Sequence, residues 1–342
     1  MDIGGGTTDI AVWQEGQNAL LNQTSIRFAG RNILNDYLWN RQQNGHAILS
    51  KLKNDDVEFT KMLTDLGQET SKHSFDLKLE ALLRYYEHDI FKSLPTKSAD
   101  PEISLLIRDI SFALAGIFFY SGMVIGNLRE NGKYDQKQLL PNCYVGGNAS
   151  KLLHWAAGGA FSSKAVIASI FNQCMYIGIT VGTSDEALKN NFNINITGHP
   201  KQEVSYGLVT NNANGAVNNN FNLFLNDNDG VVLLAGEKFV VDTESKDSDL
   251  VTANDFLEGL RIDNEKPEVF EKFLSMFNQI MRKIRLDPIV FSDDDFINIC
   301  TNVNQALSDI KQEAGGDVEN VNAEPIFILV LKEAYRYLAN HK

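Results

Sequence analysis

The sequence predicts an α/β fold with a helical insertion and an acidic, mainly helical C-terminal extension. Three observations carry this. Residues 1–30 alternate in short apolar runs, glycine turns follow predicted strands at Gly4-Gly5-Gly6 and Gly146-Gly147, and helical spacing of apolar residues dominates elsewhere. Of the 342 residues 43% are hydrophobic and 22% charged, which is the balance of a globular chain and argues against disorder.

The strands come first. Ile10 and Val12, then Leu20, Leu21, Ile26 and Phe28, lie in runs broken at Glu15-Gly16 and Asn22-Gln23. This pattern predicts a β-meander. Residues 32–40 then read as a helix. Residues 45–100 are polar and helical, and Phe75, Leu79, Leu82, Leu83, Tyr86, Ile90 and Leu94 share a helix face. Pro95 stops that helix and Pro101 starts the next. Residues 141–145 and 193–196 read as short strands, with helices from about Ser150 and over 201–211.

Residues 110–128 contain no charge over 19 positions and reach the length of a membrane span. They also contain Ser111, Ser121, three glycines and Asn127, and Arg108 and Asp109 abut them. A helix buried in a large core has the same composition.

Past residue 212 the composition shifts. An asparagine-rich stretch reads as a linker or hairpin. Residues 221–342 hold 23 acidic and 12 basic residues, a net −11 out of −13 for the whole chain. Three amphipathic helices are expected there: 267–285, 293–312 and 325–340. Ser292 is read as an N-cap and Gly315-Gly316 as a stop. The sequence Asn226-Asp227-Asn228-Asp229-Gly230 looks like a calcium loop. Leu225 and Gly236 stand where that pattern needs Asp and Glu, so it is read as a turn.

The acidic balance disfavours general nucleic-acid binding. It leaves room for a single nucleotide, whose site is built locally. Cys143, Cys174 and Cys300 are far apart and show no disulfide or zinc spacing, which points to a reducing, cytoplasmic setting.

The run Asp2-Ile3-Gly4-Gly5-Gly6-Thr7-Thr8-Asp9 carries the functional reading. Three glycines let backbone N–H groups approach an anion with no Cβ in the way. Thr7 and Thr8 add hydroxyls, and Asp2 and Asp9 flank the turn with carboxylates. That set suits a Mg²⁺–nucleotide, because Mg²⁺ keeps its waters and is held through few carboxylates. A plain hairpin turn would use the same residues.

Asp2 to Val12 resembles the second phosphate-binding motif of the actin and heat-shock-chaperone ATPase superfamily, closest to the chaperone branch. Phe28-Ala29-Gly30-Arg31 is similar to the glycine that meets the nucleotide after the third strand. Cys143 to Ser150 is similar to the adenosine motif, and His199 to Val209 to the closing element. The resemblance implies a ribonuclease-H-like, actin-type lobe, with a mixed sheet carrying helices on both faces. Residues 1–44 and 101–211 would form the lobe, 45–100 an inserted helical subdomain and 221–342 the acidic extension. It places a buried helix where residues 103–128 stand, which argues against a transmembrane segment.

The same resemblance implies ATP or ADP with Mg²⁺ as cofactors. Gly4, Gly5, Gly6, Thr7 and Thr8 would cradle phosphate. Gly30, Gly146, Gly147 and Asn148 would border the nucleoside. Asp2 would hold the metal through water and orient the attacking water. Arg84, Glu87 and Lys92 are candidates for the base-contacting residues, but their spacing departs from the family pattern, and helix-face ion pairing is the plainer reading. The family's first phosphate loop and catalytic lobe are expected ahead of Met1, so the chain reads as a fragment with little turnover of its own. A nucleotide-dependent scaffold or filament, with a protein partner at the acidic helices, is the alternative. A sugar or acyl kinase is a third.

Overall fold

The computed structural model describes residues 1–14, 19–41, 48, 56–93, 100–130, 142–157, 161–162, 166–182, 194–197, 231–234, 237–240, 262, 267–315 and 324–340. The expected helix over 201–211, the asparagine-rich stretch, the 226–230 turn and the His199–Val209 element lie outside them.

Strands β1 (Asp2–Ile3), β2 (Thr8–Gln14) and β3 (Ala19–Ile26) form an antiparallel sheet in sequence order. Period-2 burial follows from the alternation: Thr8, Ile10 and Val12 face inward, while Asp9, Ala11 and Trp13 face solvent. The register slips between Val12 and Trp13. A π-helical turn, Arg31–Asp36, runs into α1 (Tyr37–Asn40). A helical hairpin follows, of α2 (Val57–Gly67) and α3 (Lys72–Ser93). Asp56 caps α2, its carboxylate accepting from the Glu58 and Phe59 N–H groups at 2.9 and 3.0 Å.

The long helix α4 (Pro101–Glu130) contains the uncharged segment. Its apolar side chains point all round, so it is stable in water only if every face is covered. Its most apolar window is 89% buried inside the fold. After it come β4 (Cys143–Val145), a 3₁₀ turn (Asn148–Lys151), α5 (Leu152–Ala156), α6 (Val166–Gly182) and β5 (Ile194–Ile196), which pairs parallel with β4. Strands β6 (Val231–Leu234) and β7 (Glu237–Val240) form a separate hairpin.

The C-terminal helices are α7 (Glu268–Lys283), α8 (Asp293–Ala314) and α9 (Ile326–Asn340). Ser292 closes a capping box with Asp295, and Gly315 ends α8 in the left-handed region at φ 63°. Their apolar faces enter the same core as α4. Phe112 lies 5.2 Å from Phe273 and 5.3 Å from Phe277, and Phe119 lies 4.9 Å from Phe327. Edge and tilted ring contacts of this kind add to area burial.

The expected ribonuclease-H-like, actin-type lobe with a mixed sheet is not what the chain forms. The described residues are mostly helical, with one small antiparallel sheet and one two-stranded parallel pair. The reason lies in where the apolar residues are. β1 has two residues and β4 and β5 three each, too few to build a sheet core. Between β1 and β4 there is a single bridge, Asp2 to Gly146. Helix α4 instead gathers α6, α7 and α9 around itself, so the layers are helix on helix.

One polar network is buried within this core. Arg108 pairs with Asp109 at 2.7 Å, and the Tyr37 hydroxyl donates to Asp109 at 2.9 Å. Burial pushes the Asp109 carboxyl up, and Arg108 opposes that shift. The Tyr335 hydroxyl on α9 donates to the Ile33 carbonyl at 2.6 Å, which ties the C-terminal helix to the turn that follows β3.

Candidate functional site

Three chain segments meet at the β1–β2 loop. The loop is Gly4 to Thr7, closed by the Gly4 N–H donating to the Thr7 carbonyl at 2.9 Å. The segment after β3 clamps it from one side: the Gly30 N–H donates to the Gly4 carbonyl at 3.1 Å and the Arg31 N–H to the Gly5 carbonyl at 2.8 Å. The turn after β4 joins at the strand end, where the Ile3 N–H donates to the Gly146 carbonyl at 2.9 Å and the Gly146 N–H to the Met1 carbonyl at 2.8 Å. Residues far apart in sequence, 4–7, 30–31 and 146–149, are therefore neighbours.

Two glycines are required by this meeting. A Cβ on Gly30 would stand 2.6 Å from the Ala149 Cβ and 3.1 Å from the Gly4 carbonyl oxygen. Gly30 has an ordinary helical φ of −51°, so the demand is steric. Gly147 has φ 81°, and a Cβ there would stand 2.1 Å from Asp2 Oδ1 and 2.4 Å from the Ile3 carbonyl oxygen. Gly5 and Gly6 differ. Their φ angles are not positive, a Cβ on Gly6 meets nothing within 4 Å, and one on Gly5 meets only Arg31 Nε, at 3.9 Å. Both are exposed, as is Thr7.

The hydrogen bonding gives the loop a polarity. The Gly4 and Gly5 carbonyls already accept bonds from Gly30 and Arg31. The N–H groups of Gly5, Gly6 and Thr7 donate to no acceptor among the described residues. The Gly6 carbonyl likewise accepts no bond among the described residues, so the exposed tip offers three N–H donors beside one carbonyl; the donors are what an anion would use.

Thr8, expected to help cradle phosphate, faces the other way. It is fully buried and its hydroxyl donates to the Phe28 carbonyl at 2.7 Å, so it braces the loop from beneath. Asn148 is exposed at the start of the 3₁₀ turn, and Ser150 fixes that turn by donating to the Gly147 carbonyl at 2.7 Å. Asp2 and Asp9 stand directly opposite each other in the β1–β2 register. Cross-strand partners share a face, with Cβ atoms about 5 Å apart. Among the described residues no group of three His, Cys, Asp or Glu forms a full cage for a metal. A hydrated Mg²⁺ held through one or two carboxylates fits this arrangement, whereas a cation needing many protein ligands does not.

Sequence reasoning passed over one residue here. In the sequence Arg31 stands only as the last residue of the Phe28-Ala29-Gly30-Arg31 turn. Its backbone is pinned to the loop, and its guanidinium Nε sits 2.8 Å from Glu80 Oε1 on α3. The Glu80 hydrogen bond and charge raise the Arg31 pKa. The adjacency of Arg31 to Gly30 was the available signal. Of the three candidates on α3, Arg84 is exposed, while the side chains of Glu87 and Lys92 lie outside the described residues.

A polar cavity of about 220 Å³ opens beside Phe28, between the Arg31–Asn40 helical segment and α9, with Asn32, Asp36, Lys332 and Arg336 in its wall. It contains none of the sequence-predicted site residues.

Comparison with protein families, curated proteins and solved structures finds no match for this chain.

Proposed function

We propose that the Gly4–Thr7 loop binds the phosphates of a Mg²⁺–nucleotide, ATP or ADP, with Gly30 and Gly146–Asn148 bordering its nucleoside. The observation that supports this is the hydrogen bonding of the loop: the Gly4, Gly5 and Thr7 carbonyls are engaged, while the N–H groups of Gly5, Gly6 and Thr7 donate to no acceptor among the described residues. Phosphate oxygens accept such bonds without any side chain having to reorganise. Asp2, with Asp9 opposite, would hold the metal through its water shell. When bound, the metal supplies positive charge against the phosphate oxygens. Gly147 and Gly30 let the neighbouring segments pack against the loop and its strand, and Asn148, exposed beside them, would face the ribose or base. The resemblance of residues 2–12 to an ATPase phosphate loop agrees with this reading.

Calorimetric titration of the full chain with Mg-ADP and Mg-ATP tests it. Saturable binding that is lost on removing Mg²⁺ or on Asp2→Asn is expected. Absence of heat with both nucleotides at millimolar concentration would mean the loop is only a turn.

A further inference from the structure

We infer that Arg31 is a phosphate-binding residue of the glycine loop, and that Glu80 on α3 competes with the ligand for its guanidinium. The inference rests on the nucleotide reading above and adds a residue and a regulated contact to it. The position of Arg31 relative to the loop does not depend on its side chain, because its own N–H is bonded to the Gly5 carbonyl at 2.8 Å. From that anchor the side chain runs alongside the loop, with Nε 3.9 Å from where a Gly5 Cβ would stand. A guanidinium carries five N–H donors in a fork. The contact with Glu80 is made through Nε, and the Arg31 side chain is 55% exposed, so the fork is open to a second acceptor.

The energetic ordering favours exchange. An exposed ion pair such as Arg31–Glu80 is screened by water and weak. A phosphate group carries more charge than a carboxylate and accepts a guanidinium bidentately. A di- or triphosphate arriving at the Gly5–Thr7 N–H groups therefore draws Arg31 away from Glu80. Arg31–Glu80 is one of several polar contacts that fasten α3 to the turn after β3. Lys72 bridges Asp36 at 2.9 Å, and Asn35 donates to Asp76 at 3.1 Å. Arg31–Glu80 is the contact in this set that reaches the loop. Ligand phosphate is thereby reported to the α2–α3 hairpin through one exchanged ion pair.

The test is Mg-ADP titration of the full-length wild type, Arg31→Ala, Arg31→Lys, Glu80→Gln and the double variant, with thermal unfolding of each to confirm folding. Arg31→Ala should weaken Mg-ADP by about tenfold or more, the scale of one lost charge-assisted hydrogen bond. Arg31→Lys should recover part of the loss. Glu80→Gln should tighten binding, and the double variant should match Arg31→Ala. Adenosine affinity should not change in any of them. Wild-type binding with Arg31→Ala unchanged overturns the inference and leaves the nucleotide reading standing. Weakening by Glu80→Gln equal to that of Arg31→Ala also overturns it, since that pattern belongs to a purely structural pair. No binding by wild type overturns both readings together.

Discussion

Gly122 and Gly178 sit where α4 and α6 touch, whereas Gly5 and Gly6 sit at the exposed tip of the β1–β2 loop. A Cβ on Gly122 would stand 2.0 Å from the Met175 carbonyl oxygen, and one on Gly178 would stand 2.0 Å from that of Phe119. Those two glycines let one helix backbone lie against another. At Gly5 and Gly6 neither the packing nor the backbone angles ask for glycine. The same residue is thus an architectural requirement in the helix pair and an open surface in the loop. What separates the two is what a methyl group would meet, which no count of glycines reveals.

The largest effect is expected at the helix pair. Gly122→Ala forces backbone apart and should cost on the order of 3 kcal/mol in denaturant unfolding. A variant as stable as wild type would remove the packing side of the comparison. Gly147→Ala lies between the two settings. The unfavourable φ adds roughly 1–3 kcal/mol and the clash displaces Asp2, so both stability and Mg-ADP binding should fall. Gly5→Ala belongs to the other side. It should change stability by less than about 0.5 kcal/mol, as surface substitutions do, while weakening Mg-ADP.

The smallest effect concerns two thiols that report on the two regions. Cys143 lies in β4 beside the site, and Cys174 lies in α6 beside the glycine contact. Burial pushes the Cys143 thiol up to about 11 and also raises the Cys174 thiol well above its ordinary value. In the unfolded chain a thiol ionises near its ordinary value, while in the fold it stays protonated. Stability should therefore decline as pH rises from about 9 through about 11. At pH 8 neither thiol should react with an aromatic disulfide reagent, and Gly122→Ala should unmask Cys174 before Cys143.

Local structure was legible where chemistry is local. Ser292, Gly315 and the apolar stripes of residues 267–285 and 325–340 mark helices that form within one or two residues of their expected ends. Residues 141–145 and 193–196 read as short strands, and strands form at Cys143–Val145 and Ile194–Ile196. Motif order points to a convergence of Gly4, Gly30 and Gly147; in the structure Gly30 bonds to Gly4, and Gly147 packs on Asp2 and Ile3 of the preceding strand. The sheet was over-read. Glycine turns after short strands suggested a large mixed sheet, but strands of two and three residues cannot carry one, and the all-round apolar surface of α4 decided the architecture. Thr8 was read by residue type alone, and type does not say which face of β2 it occupies. The Arg31–Glu80 contact joins residues 49 apart, and nothing local in either neighbourhood announces it.

The most direct test of the central claim uses Gly6→Val and thermal unfolding with and without Mg-ADP. A Cβ on Gly6 meets nothing within 4 Å and the residue is exposed, so the variant should melt near the wild-type temperature without nucleotide. Saturating Mg-ADP should raise the wild-type midpoint by mass action and leave the variant where it was. An equal rise in both proteins, or none in wild type, would contradict the assignment of the glycine loop as a phosphate site.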